Sequence, residues 1–202
     1  VSDNSGGVNI LSFVDLGTYT MPAIGDSLSL MGDISQFNGL TQFSVDSLTL
    51  HSQNVTLKMP QVVGNVSEST EGEYIRVNGF TVVNAAQWPA TGSNANVDIT
   101  NGTDTLTMRI DRDTDIDGSP VPVGSFDVIG AGGQFDSSSP FDEGYQILPS
   151  SLAHIIPVVA ATPTVNFATT LQVEKEDIGT VTVNVIVGPT SSNAETIDFQ
   201  AV

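Results

Sequence analysis

The sequence predicts an all-β chain that carries two small barrel domains in tandem and the opening strands of a further sandwich. Three observations predict it. Nearly every apolar run is short, rich in β-branched residues and closed by Gly, Asn, Asp, Ser or Pro, as strands are. Several runs alternate apolar and polar residues: Val181, Val183, Val185 and Val187 share one face, with Thr182 and Asn184 on the other. Finally, one stretch repeats at a spacing of roughly one hundred residues, too long for a solenoid repeat.

Taken in order, strands are expected over 8–13, 27–31, 74–83, 95–100, 106–110, 126–129 and 181–187. The pairs Asn38-Gly39, Asn78-Gly79, Asn101-Gly102 and Asp117-Gly118 read as turns between them. Only 148–154 offers a turn or two of helix.

In the repeat, residues 2–10 overlay residues 100–108, a turn feeding a strand. Residues 22–32 overlay 120–130, Gln36-Phe37 overlays Gln134-Phe135, and a Gly with a closing strand follows at 39–45 and 144–148. The second copy has two leading strands, 74–83 and 95–100, that the first copy lacks. The expected organisation is therefore an incomplete domain at 1–60, a complete one at 61–158 and a partial sandwich at 159–202. Such a chain is expected to be a segment of a longer protein, or to be completed by a partner.

Strand, turn, strand, acidic loop, strand, Gly-rich corner and closing strand is the order of an OB-type five-stranded barrel. Residues 73–77, Gln87-Trp88-Pro89, 96–102, 108–118, 130–136 and 144–149 resemble the OB-fold-like domain of secreted, multidomain bacterial proteins of the Bacteroidetes type. Some extracellular sugar-nonspecific nucleases carry this domain beside a separate catalytic one. The tail, 163–167 through Glu174 and 179–183, resembles the start of a Calx-beta sandwich. The resemblance implies an accessory module at an extracellular or cell-surface location. It also implies O-linked glycans on Asp-Ser/Thr-apolar triplets, which here fall at Ser27, Ser47 and Thr105.

Composition narrows the partners. Five Lys plus Arg face 23 Asp plus Glu in 202 residues, a net charge of −18. That field repels nucleic-acid phosphate and anionic lipid and attracts cations. The absence of Cys removes disulfides and thiolate chemistry. No apolar run reaches the ~18 residues of a membrane-spanning helix.

Chemistry-bearing candidates are few. Asp111, Asp113, Asp115 and Asp117 alternate ahead of Gly118 and put hard oxygen ligands on one short segment. Two readings stay open, a calcium-holding loop and a solvated acidic turn. Gly124 stands where an EF-type loop needs its bidentate Glu. Trp88, Phe135 and Tyr145 are candidates for an aromatic ligand face, yet the basic groove that accompanies such platforms in single-strand binders is missing. Packing in the core or at the barrel rim is the expected role of Trp88. Arg76, Arg109 and Arg112 are expected to pair with nearby carboxylates. His51 and His154 follow the closing strands and are candidate positional equivalents. No nucleophile elbow is present. The expected function is a non-catalytic structural and interaction segment, stiffened by calcium, whose partners are neighbouring domains or other surface proteins. The alternative is an accessory module of a secreted hydrolase that holds carbohydrate or single-stranded nucleic acid.

Overall fold

A computed structural model of the protein describes residues 1–11, 22–159, 164–167 and 185–188. In chain order its strands are β1 (Asn9–Leu11), β2 (Ser27–Phe37), β3 (Leu40–Ser52), β4 (Gln61–Val62), β5 (Tyr74–Val82), β6 (Ala95–Thr100), β7 (Thr105–Ile110), β8 (Phe126–Gln134), β9 (Tyr145–Leu148), β10 (Ile155–Pro157), β11 (Thr164–Phe167) and β12 (Val185–Gly188). The chain forms two compact units, Val1–Val158 and Val159–Val202. In the second, β11 and β12 pair antiparallel, with Val165 opposite Val187. Ser12, Phe13 and Val181 to Asn184, expected in strands, lie outside the described residues.

The centre of the first unit is a closed five-stranded barrel compatible with an OB-like fold. Its strands run β5-β6-β7-β9-β8, and β8 returns to pair with β5. All neighbours are antiparallel except β7 and β9, which run parallel with Thr107 opposite Gln146. Two-residue alternation builds the core. Val97 and Ile99 of β6, and Leu106, Met108 and Ile110 of β7, point inward and are buried. Ile75, Val77, Phe80, Phe126, Val128 and Ile147 complete that core, which buries roughly 1.5–3 kcal/mol of transfer free energy per side chain.

Asn78-Gly79, expected as a turn, instead sits inside β5 as a bulge. Gly79 takes φ +74°, and the register with β8 shifts between Val77 and Phe80. The bulge re-aims the strand, so that Phe80 faces inward opposite Phe126.

Ahead of the barrel lies a three-stranded sheet in the order β1-β3-β2. Asn38-Gly39 closes the β2–β3 hairpin with φ of 48° and 87°, as expected for that pair. Both strands outrun their expected ends, β2 continuing through Gly32 to Phe37 and β3 to Ser52. The sheet docks on the barrel through several contacts: Gly7 and Gly72 approach backbone to backbone, Asn9 Nδ2 donates to the Gly132 carbonyl at 3.3 Å, and the Thr41 amide donates to Glu71 Oε1 at 2.9 Å. Phe37 meets Phe135 edge-on at 6.2 Å, the Asp136 amide donates to the Asn38 carbonyl at 2.7 Å, and Lys58 pairs with Glu73 at 2.7 Å. Past β9 the chain makes a single 3-10 turn at Leu152–His154, shorter than the helix expected there.

Candidate functional site

The first sheet repeats the pairing of the last three barrel strands, with the closing strand one residue out of the register that overlaying Gly39 on Gly144 gives. On the overlay found in the sequence, Asn9 and Ile10 of β1 correspond to Thr107 and Met108 of β7. Asn9 pairs in parallel with Gln42 of β3, and Thr107 with Gln146 of β9. Independently, Ser35 of β2 pairs antiparallel with Gln42, and its counterpart Gly133 with Gln146. A third agreement comes from glycine. A Cβ on Gly32 would fall 1.8 Å from the Ser44 carbonyl, and one on Gly130 would fall 2.6 Å from the Leu148 carbonyl. Ser44 and Leu148 are counterparts on the same register, so both glycines answer one close approach of backbones. Even the turn before the sheet matches: Ser2 bridges Gly7 as Thr100 pairs with Thr105.

The copies differ in what covers them. In the barrel, β5 lies along β8 and β6 along β7. In the first sheet, β2 and β1 are both edge strands among the described residues. Leu106, Met108, Phe126, Val128 and Ile147 are buried in the barrel, whereas their counterparts Val8, Ile10, Leu28, Leu30 and Phe43 are half-buried. Met31 and Ile34 of β2 are exposed at 71% and 69%, and among the described residues no strand lies along that edge. This uncovered half-barrel is the candidate functional surface.

The residues singled out in the sequence do not converge on it as one site. Trp88 follows a 3-10 turn between β5 and β6, packs against the barrel core and donates its indole N–H to the Ser119 carbonyl at 2.9 Å. Alternating strand directions put the β5–β6 and β7–β8 connections at one barrel end and the β8–β9 connection at the other. Phe135 and Tyr145 flank that last connection, so the barrel separates them from Trp88. Phe135 is engaged by Phe37, and the Tyr145 hydroxyl donates to Glu68 at 2.9 Å.

Desolvation, then the bond to the Glu68 carboxylate and its charge, push the Tyr145 phenol up to about 12. A phenol held neutral in the fold stabilises fully below the unfolded value near ~10 and loses that contribution as pH rises towards the folded value. Unfolding midpoints are expected to fall between those two pH values, and to fall less in Tyr145→Phe. Equal slopes in both chains would disconnect Glu68 from the phenol.

The four alternating aspartates have separate partners. Asp111 Oδ1 accepts from the Asp113 amide at 3.1 Å, Asp115 Oδ1 from the Leu152 amide at 2.6 Å, and Asp117 Oδ2 from the Gly92 amide. Asp113 faces Arg112 at 4.0 Å on an exposed surface. Among the described residues, no three His, Asp or Glu side chains stand together as a metal site. The carboxylates tie three loops by accepting from amides. Asp115→Ala is expected to cost about 0.5–1 kcal/mol, since water can take over the exposed Leu152 N–H. Thermal unfolding in EDTA and then in millimolar calcium is expected to give one midpoint. A rise of several degrees with calcium would return these aspartates to a cation loop.

The remaining candidates have local partners. Arg76 pairs with Asp127, and Arg109 donates to Asn96 at 3.2 Å. His51 lies inside β3 beside Ser29 Oγ at 2.7 Å, and His154 in the 3-10 turn beside Ser150 at 3.2 Å, so the two are not positional equivalents. Among the described residues no carboxylate is hydrogen-bonded to either ring. A cleft of about 440 Å³ lined by Leu28, Val55, Leu57, Tyr74 and His154 opens beside the first sheet. Ser47 and Thr105 are exposed and Ser27 is half-buried at the start of β2. Sequence reasoning passed over Met31 and Ile34, whose signal was apolar side chains on a strand whose counterpart is covered.

Comparison with protein-family models, curated proteins and solved structures finds no match for this chain. Among the described residues, no helix is long and apolar enough to cross a membrane.

Proposed function

We propose that the chain is a non-catalytic structural and interaction segment of a larger secreted or cell-surface bacterial protein. The barrel is a rigid spacer, and the half-barrel is the surface that docks a neighbouring module. One observation carries this reading: apolar positions buried in the barrel are left half-buried in the sheet that repeats it. The net charge of −18 fits an extracellular accessory role and disfavours polyanionic partners. The resemblance to OB-type domains of Bacteroidetes-type secreted proteins, with a Calx-beta-like tail, supports the same reading. Trp88 packs against the barrel core and gives its indole N–H to Ser119, which supports a rim-packing role over a ligand platform.

Titration of the intact chain with oligodeoxythymidine and with oligosaccharides, read by Trp88 fluorescence at low salt, tests the proposal. No saturable change is expected at ligand concentrations up to the millimolar range. Saturable quenching by either ligand would replace the spacer with a binding module.

A further inference from the structure

We infer that the β1–β3–β2 sheet is an acceptor for two antiparallel strands of the β5–β6 kind, carried on the same polypeptide and running into Val1. This rests on the interaction-segment reading and names the partner. The barrel shows what the incoming strands do. On the shared register, β5 occupies the edge of β8 that β2 leaves open, and β6 the edge of β7 that β1 leaves open.

The last residues of the second incoming strand are already in place. Val1 and Ser2 correspond to Ile99 and Thr100, which end β6. The Val1 nitrogen donates to the Val8 carbonyl at 3.0 Å, and the Val8 amide returns a bond to the Val1 carbonyl at 2.9 Å. In the barrel the same pair is Ile99 opposite Leu106. A strand entering through Val1 therefore continues along β1 in the β6 register. Its inward side chains would cover Val8 and Ile10, as Val97 and Ile99 cover Leu106 and Met108.

The first incoming strand would lie along β2. Tyr74, Ile75, Arg76 and Val77 stand opposite Ala131, Gly130, Ile129 and Val128, whose counterparts are Asp33, Gly32, Met31 and Leu30. Gly32 and Gly130 both give their room to the strand on the other side, β3 and β9, so the open edge of β2 keeps the register of β8. The equivalence stops at Ile34, which replaces Gly132; a Cβ there in the barrel would lie 1.9 Å from the Thr70 carbonyl. The incoming strand thus begins at the counterpart of Tyr74. Two strands with apolar residues at alternate positions, joined by a connection, are the chemistry that closes both edges at once.

Copying residues 74–98 directly ahead of Val1, in the full chain, supplies such a pair in register. Hydrogen exchange at the β2 amides that point away from β3 is expected to slow on the order of a hundredfold, with matching protection in the copied strands. The same extension carrying Asp at the copies of Ile75 and Val77 is expected to lose that protection. An extension that exchanges as unfolded chain would overturn the inference. So would concentration-dependent protection of β2 in the unextended chain with a dimer mass, which would assign both edges to a second copy. Neither readout depends on the Trp88 titration, so the two proposals fail separately.

Discussion

Phe126→Ala is expected to cost about 3–5 kcal/mol, while Leu28→Ala, at the same position of the other copy, costs about 1–2 kcal/mol. Phe126 is 1% exposed between β5 and β10, opposite Phe80, so truncation leaves a cavity that rigid strands cannot fill. Leu28 holds the matching place in β2 but is half-buried, and neighbours can collapse onto the gap or water can fill it. Urea midpoints for both single variants and the double variant measure the difference. Equal costs would mean that the first sheet already has a closed core, which would remove the reason to expect further strands. The comparison sharpens in the extended chain, where Leu28→Ala should approach the cost of a buried Leu truncation.

The repeat that makes this comparison possible was legible because strand register leaves a two-residue period and a few fixed glycines in the chain. Overlaying residues 22–32 on 120–130 from their letters alone puts Gly32 on Gly130, and the backbones then meet in the same way. Lengths were less legible. Gly32 reads as the end of a strand, yet it is a close-approach position from which β2 runs on to Phe37. Asn78-Gly79 carries the signature of a hairpin turn, but its neighbours on both sides pair with β8, and that long-range pairing makes it a bulge. Within the candidate site, spacing shows only neighbours along the chain, for a related reason. Alternating aspartates resemble a ligand set when only their own segment is seen. Their partners, the amides of Gly92 and Leu152, come from loops that only the folded barrel brings close. Trp88 likewise takes its acceptor from Ser119, across two strands. The uncovered face of β2 was visible only as the absence of leading strands in the first copy, and its exposed Met31 and Ile34 needed coordinates.

Asp127→Ala is expected to destabilise by about 3 kcal/mol, and Asp127→Asn by about half as much. The Asp127 side chain is nearly buried on β8, where Oδ2 accepts from the Arg76 guanidinium and Oδ1 from the Gly79 amide at 2.8 Å. Arg76 also donates to Asn78 Oδ1 at 2.9 Å, so one carboxylate holds both sides of the β5 bulge. Removing it orphans a backbone N–H and strands a guanidinium whose side chain is only 33% exposed. The open third of Arg76 keeps the cost below that of a fully buried pair, for which about 3–5 kcal/mol is usual. Asn keeps an acceptor for Gly79 and loses the charge, which separates the backbone bond from the ion pair. In a double-mutant cycle with Arg76→Met, a coupling of about 1–2 kcal/mol is expected between the two side chains. Additive losses would mean that the carboxylate acts through Gly79 alone, and the bulge would then be held without Arg76. A cost for Asp127→Ala below about 0.5 kcal/mol would show that the bulge, and the inward turn of Phe80 that depends on it, is fixed by core packing.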